Sequence, residues 1–169
     1  SGSATPGQQL LLRAGYIRQS AAGIFILAPL AMRVLEKIER IVREEMNAIG
    51  GLECHFPILQ PGDLWKKSGR WERYLRDGIM FNLTDRKGQV FGISPTAEEV
   101  VSHLASTELH SHHQLPLNLY QIEWKGRDEL RPRMGLLRGR EFRMKDAYTF
   151  DADEAGMRHA YELHWQAYT

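Results

Sequence analysis

The chain has 169 residues, of which 43% are hydrophobic and 25% are charged, and this is the composition of an ordinary globular domain. Lys and Arg total 22 against 21 Asp and Glu, so net charge gives no argument for nucleic-acid binding and any basic surface must be local. A single cysteine, Cys54, excludes an internal disulfide within these residues. No apolar run is long enough to span a membrane.

The first half of the chain contains one clear helix. Residues 1–8, which open with Ser-Gly-Ser, are interpreted as a cloning remnant and a flexible N-terminus. The apolar segment 21–30 is expected to pack into the core. Apolar residues at spacings of three and four predict a helix over residues 30–49, which the pair Gly50 and Gly51 ends. A strand is expected over residues 52–59, at a sheet edge or an interface because it contains Pro57.

The second half alternates between hairpins and helices. A turn at residues 84–88 lies between strand-like segments 79–83 and 89–93, and a helix is predicted over residues 97–109. Further strands are predicted over residues 117–124 and 139–150, followed by a helix over 154–168 with Met157, Tyr161 and His164 or Trp165 facing inward. Hairpins interspersed with helices favour an α+β fold, with an antiparallel β-sheet flanked by helices.

The loop between the last two predicted strands concentrates arginines near a carboxylate and an aromatic ring. The residues are Arg127, Glu129, Arg131, Arg133, Arg138 and Phe142. Guanidinium groups bind phosphate bidentately and a ring can stack on a base, so a nucleoside triphosphate is a suitable ligand. The alternative is a solvated hairpin whose arginines and carboxylates form ordinary cross-strand ion pairs.

Two further clusters have both a structural and a functional interpretation. In Thr96-Ala97-Glu98-Glu99, Thr96 and Glu99 have the spacing of a helix capping box, and such a box does not use Glu98, which could therefore have another role. The histidines at 110, 112 and 113 have no third ligand spaced nearby, so we interpret them as part of a solvated loop and predict no metal site.

Taken together, these segments resemble the class II aminoacyl-tRNA synthetases and, within them, the prolyl-tRNA synthetases of bacterial and mitochondrial type. Arg127-Asp128-Glu129 and, after a loop, Arg138 to Phe142 match the second class signature. The prolyl Thr-x-Glu element matches Thr96-Ala97-Glu98. The predicted helix 30–49 and strand 52–59 are similar to the first signature, which in this class forms a homodimer interface.

The resemblance implies activation of proline with ATP and transfer of proline to tRNA(Pro). It assigns catalysis to Arg127 and Glu129, and ATP binding to Arg127, Glu129, Arg138 and Phe142. It assigns proline binding to Thr96, Glu98 and Arg127, and contact with tRNA to the loop residues Arg131 and Arg133. Mg²⁺ is implied as the counter-charge of the triphosphate. A homodimer through residues 30–59 is implied as well, in the bacterial cytoplasm or in the mitochondrial matrix.

The chain departs from the family pattern in two respects. Gly126 stands where an aromatic residue usually precedes the signature arginine, and the third class signature is absent from these residues. Residues 9–169 are therefore expected to be the N-terminal part of the catalytic domain. The alternatives are a non-catalytic synthetase-like module that binds ATP, proline or RNA, and a fragment whose arginines only contact RNA phosphates.

Overall fold

A computed structural model describes residues 5–169, so residues 1–4 of the predicted remnant and flexible N-terminus at residues 1–8 lie outside them. The helices are α1 (Pro6–Arg13), α2 (Pro29–Ala48), α3 (Gly62–Lys67), α4 (Trp71–Arg76), α5 (Glu98–Glu108) and α6 (Glu154–Tyr168), with 3-10 turns at His112–Gln114 and Gly135–Leu137. The strands are β1 (Ile17–Ala21), β2 (Ile24–Leu27), β3 (Leu52–Glu53), β4 (Leu59–Pro61), β5 (Asn82–Thr84), β6 (Val90–Ile93), β7 (Leu117–Gly126) and β8 (Glu141–Phe150). Helix α1 begins at Pro6, so the boundary predicted after residue 8 falls inside this helix. The division of the chain into residues 1–8 and 9–169 stays a prediction.

The chain divides into two compact units. The first unit contains residues 5–37, Pro57–Pro95 and Trp124–Arg143, and the second contains Ile38–Phe56, Thr96–Glu123 and Met144–Thr169. Among the described residues, no helix is long and apolar enough to cross a membrane.

The first unit is built from two small antiparallel sheets. Strands β1 and β2 form a hairpin, and β6 lies between β4 and β5, which confirms the hairpin predicted around residues 84–88. Its core contains Trp65, Trp71 and Met80. Trp65 is fully buried, and its indole N–H donates to Gln60 Oε1 at 2.8 Å, so this large side chain is both covered and hydrogen-bonded.

The second unit packs helices against the sheet β3-β7-β8. One cluster joins Phe56, Ala97, Val101 and Leu119, and another joins Met46 of α2 to Tyr120 and Ile122 of β7. The predicted α+β class is confirmed, since helices flank sheets that are largely antiparallel. One pairing differs: β3 runs parallel to β7, with Leu52 opposite Leu119.

The prediction of one strand over residues 52–59 is wrong. Regular pairing stops after Glu53, and β4 begins only at Leu59. Two features explain the break. The Phe56 N–H donates to the side-chain oxygen of Gln121 at 3.1 Å instead of to a strand carbonyl, and Pro57 has no N–H to offer.

The predicted helices α2, α5 and α6 are present, but two predictions of burial are wrong. Met157, Tyr161 and Trp165 of α6 are exposed, and only His164 of the predicted inward set is partly covered. The segment 21–30 forms β2 and the start of α2, and Ile26 and Leu30 are exposed. Apolar periodicity identifies a helical face, but it does not identify what covers that face.

Candidate active site

Arg127 of the first unit follows directly after β7 and is fixed at both its backbone and its side chain. Its N–H donates to the carbonyl of Arg140 at 2.8 Å, and its guanidinium donates to the carbonyl of Pro95 from Nε at 3.3 Å and from a terminal nitrogen at 3.2 Å. The guanidinium carbon lies 5.3 Å from the centre of the Phe142 ring. The structure therefore brings together two of the predicted ATP-binding residues, in a cation–π contact.

The other two predicted ATP-binding residues pair with each other. Arg138 Nε donates to Glu129 Oε2 at 2.8 Å, and the Arg131 N–H donates to the other carboxylate oxygen at 3.2 Å. The hydrogen bond from Arg138, followed by the one from the Arg131 N–H, lowers the pKa of Glu129 below its ordinary value. The Arg138 side chain is 49% exposed, so the pair lies within reach of a ligand. The alternative interpretation, a solvated hairpin with ion pairs between arginines and carboxylates, predicts a pair of this kind, and Arg138 and Glu129 form one.

The loop between β7 and β8 exposes the two arginines that the sequence assigns to tRNA. Arg131 and Arg133 are exposed, and the backbone of Arg133 bridges to Arg138 in an antiparallel arrangement. The N–H of Arg133 donates to the carbonyl of Arg138 at 3.1 Å, so the base of the loop is closed by main-chain pairing.

The glycine at position 126 has a steric explanation. A Cβ at Gly126 would lie 2.6 Å from Cγ2 of Ile93, which is closer than real side chains approach. The Gly126 N–H also donates to the carbonyl of Ser94 at 3.0 Å, which holds the end of β7 close to the residues after β6. An aromatic residue at 126 therefore has no room while Ile93 keeps its position.

In the second unit, the predicted proline-binding residues are joined by a hydrogen bond. Thr96 Oγ1 donates to Glu98 Oε2, and the Glu98 side chain is exposed at the start of α5. The predicted capping box is wrong, because α5 begins at Glu98 and its N-cap residue is Ala97, with no side-chain capping bond. The Thr96 hydroxyl donates to Glu98, and Glu99 is buried in the first turn of α5.

Residues that the sequence did not assign support this turn. Tyr148 Oη accepts from the Ala97 N–H at 3.0 Å and donates to Asp146 Oδ2 at 2.5 Å, and Gln121 Nε2 donates to the same oxygen at 2.9 Å. Burial, and then the hydrogen bond to Asp146, raises the pKa of Tyr148, which therefore stays protonated. The signal in the sequence was the two-residue spacing of Asp146 and Tyr148 on a predicted strand, which places both on one face.

Among residues 5–169, no three His, Cys, Asp or Glu side chains are grouped so that they could hold a metal ion.

Comparison with known families identifies the chain at the level of its fold family. Residues 81–169 match the tRNA synthetase class II core domain (G, H, P, S and T), and this match covers more than half of the chain. The chain belongs to this family. It is 54% identical over 165 residues to a protein of Nostoc punctiforme named proline–tRNA ligase, and 56% identical over 164 residues to one of Synechococcus elongatus with the same name. These matches cover 97% and 96% of this chain but 27% of each relative, so the chain spans about a quarter of their length.

Solved structures show the same fold. A Giardia lamblia prolyl-tRNA synthetase in complex with prolyl-adenylate aligns with a TM-score of 0.85 and 20% identity, covering 94% of this chain and 33% of that protein. The prolyl-tRNA synthetase of Cryptosporidium parvum, complexed with L-proline and AMP, aligns with a TM-score of 0.82 and 19% identity, over 95% of this chain and 32% of that protein. At this level of identity the likeness establishes the class II synthetase fold and leaves ligand binding to the arguments that follow.

Proposed function

We propose that this chain supplies part of the catalytic core of a proline–tRNA ligase. The observation that carries the proposal is the arrangement of Arg127, an exposed residue whose guanidinium is held by the Pro95 carbonyl and lies over Phe142. The identity to proteins named proline–tRNA ligase supports the choice of proline over the other amino acids of the family. Thr96 and Glu98, which match the prolyl Thr-x-Glu pattern, also support proline as the amino-acid substrate.

The proposed reaction has two steps. A carboxylate oxygen of proline attacks the α-phosphorus of ATP, the bond to the bridging oxygen breaks, and prolyl-adenylate and pyrophosphate result. A hydroxyl at the 3′ end of tRNA(Pro) then takes the prolyl group, and AMP leaves. Negative charge develops on the α-phosphoryl oxygens in the first step, and a guanidinium that is already in position stabilises that charge without reorganising.

Each remaining residue has a role that suits its chemistry. Arg127 also contacts the proline carboxylate, Phe142 stacks on adenine, and Glu129 accepts from the adenine amino group. Arg138 binds the β- or γ-phosphate, which requires its ion pair with Glu129 to open. In the second unit, Thr96 and Glu98 hold the charged amine of proline. Mg²⁺ enters as part of the ATP substrate.

The remaining roles concern macromolecular partners and location. The loop arginines Arg131 and Arg133 contact tRNA phosphates, for which their exposure is required. A second copy of the chain pairs through residues 30–59. The relatives reported above are bacterial, which favours the bacterial cytoplasm over the mitochondrial matrix.

The test is proline-dependent exchange of labelled pyrophosphate into ATP, measured on this chain and on Arg127→Ala. We expect exchange by the parent chain and a loss of at least about a hundredfold in Arg127→Ala, the size of effect seen when a transition-state charge loses one donor. Lys87→Ala, in the turn between β5 and β6, is the control and should keep the parent rate. A folded parent chain that binds proline but exchanges no pyrophosphate would favour the non-catalytic module.

A further inference from the structure

The tip of the β1–β2 hairpin reaches the arginine loop within the first unit. The carbonyl of Gly23, which lies between β1 and β2, accepts a hydrogen bond from the Arg140 N–H at 2.7 Å. No family signature covers Gly23, and it lies more than a hundred residues before Arg127 in the sequence. This contact therefore joins a separate element to the residues proposed to bind ATP.

From Arg140, hydrogen bonds continue to both proposed catalytic residues. The carbonyl of Arg140 accepts a hydrogen bond from the Arg127 N–H at 2.8 Å, and Nε of Arg140 donates to the carbonyl of Glu129 at 3.0 Å. Arg140 is thus fixed on one side by Gly23 and fixes Arg127 and Glu129 on the other. A displacement of Arg140 would move the backbone of both residues.

Two glycines allow the hairpin to come this close. A Cβ at Gly23 would lie 2.7 Å from Cβ and 2.8 Å from Cγ of Pro132, and 3.0 Å from the Arg140 nitrogen. A Cβ at Gly139 would lie 2.8 Å from the Gly23 carbonyl oxygen. Side chains at either position would separate the hairpin from the loop, because the atoms they would meet are main chain or the rigid proline ring.

We propose that the tip of the β1–β2 hairpin is a positioning element for ATP: through Arg140, Gly23 holds Arg127 and Glu129 in the geometry that binds the nucleotide. This inference rests on the proposed function, since it assumes that the two residues bind ATP. Gly23 itself touches no substrate. Its effect should be larger on ATP than on proline, because Arg127 and Glu129 are both assigned to ATP, whereas proline is also held by Thr96 and Glu98.

The chain offers a matched control for this proposal. Gly15 and Gly23 both have φ of +76°, so alanine meets the same backbone strain at either position. A Cβ at Gly15 would have no atom within 4 Å, whereas one at Gly23 would collide with Pro132. The difference between Gly23→Ala and Gly15→Ala therefore isolates the contact with the loop.

The experiment measures binding of the non-hydrolysable analogue adenosine 5′-(β,γ-imido)triphosphate and of proline to the parent chain and both variants by calorimetry. We expect Gly23→Ala to weaken analogue binding by roughly tenfold to a hundredfold, since displacements of about 1 Å have effects of this size. Both affinities of Gly15→Ala should match the parent, and Gly23→Ala should lose less affinity for proline than for the analogue, because Thr96 and Glu98 also hold proline. Equal analogue affinities in the two variants, or parallel losses for proline and the analogue, would overturn the proposal.

Two further measurements separate a positioning role from simple destabilisation. Adding Pro132→Gly to Gly23→Ala removes the ring atoms that collide, and it should restore at least part of the analogue affinity. If the parent chain binds no analogue, the proposed function fails for this chain, and amide exchange decides the inference. If the Arg140 and Arg127 amides exchange faster in Gly23→Ala than in Gly15→Ala, the positioning role is supported. If they exchange equally fast in the two variants, the positioning role is excluded.

Discussion

Glu98 shows how one carboxylate can be available for a ligand at the start of a helix. It is exposed, lies in the first turn of α5 and accepts a hydrogen bond from Thr96. A carboxylate there is favoured by the helix dipole, which would stabilise α5 whether or not proline binds. If Glu98 only stabilises α5, its removal should weaken the binding of proline and of ATP equally. If Glu98 binds proline, its removal should weaken mainly the binding of proline.

We expect Glu98→Ala to weaken proline binding by at least about tenfold while ATP-analogue binding changes by less than about twofold, because a charge-assisted hydrogen bond contributes about 1.5–3 kcal/mol. Glu108→Ala, at the other end of the same helix, is the control and should leave both affinities unchanged. Calorimetric titration of each ligand gives the comparison. Equal losses for proline and the analogue in Glu98→Ala would mean that this carboxylate serves only the fold.

At the level of elements, α2 and β3 are joined by an ion pair in the second unit. Arg43 donates to Glu53 through Nε at 2.7 Å and a terminal nitrogen at 2.9 Å, and the Tyr120 hydroxyl donates to the same carboxylate at 3.4 Å. The hydrogen bond from Arg43 outweighs desolvation and lowers the pKa of Glu53. Both side chains are 37% exposed, so the pair contributes at most about 1 kcal/mol to stability.

This pair predicts a specific dependence of stability on pH. A carboxylate whose pKa is lowered on folding contributes stability above its unfolded pKa, about 4.3 for Glu, and loses it as pH falls through the lower folded pKa. Urea unfolding should therefore show the parent more stable than Glu53→Gln at about pH 6, with the difference shrinking as pH falls below the unfolded pKa. Glu44→Gln, which removes a long and exposed contact with Arg40, should show little difference at either pH. A difference for Glu53→Gln that is constant with pH would contradict the linkage.

Elements defined by local pattern were predictable from the sequence, and those defined by distant contacts were not. Helices α2 and α6 follow from spacing, and Gly88 with its neighbours marks the β5–β6 turn. The capping box failed because α5 begins one residue later than predicted, with Ala97 at its N-cap, and the Thr96 hydroxyl donates to Glu98. The Ala97 N–H donates to Tyr148, far along the chain. The arginines and Phe142 were identified by residue type and order, but the contact of Gly23 with their loop has no local signal.

At the level of the whole molecule, α2 presents an apolar surface that the described chain leaves exposed. Val42 and Ile49 pack on the core cluster of Met46 and Tyr120. The rest of the apolar surface is a stripe with helical spacing, and it consists of Leu30, Val34, Ile38 and Ile41. Exposed apolar stripes of this kind are typical of protein–protein interfaces, and a two-fold axis would let the stripe cover itself in a second copy.

We therefore expect the chain to dimerise through the α2 stripe, and Ile38→Asp to weaken that dimer by at least about a hundredfold, or about 2.7 kcal/mol, because a charge would be buried without a partner. The Ile38 side chain is 52% exposed in the single chain, so the substitution costs the fold of the monomer little. Lys37→Asp introduces the same residue at the adjacent exposed position, costs more helix propensity than Ile38→Asp, and should nevertheless keep the dimer. Sedimentation equilibrium over a range of concentrations measures both, with circular dichroism to confirm that the variants keep their helices. A parent chain that stays monomeric throughout that range, or an Ile38→Asp chain with the parent's dimer mass, would exclude α2 as the interface and leave its apolar stripe to another partner.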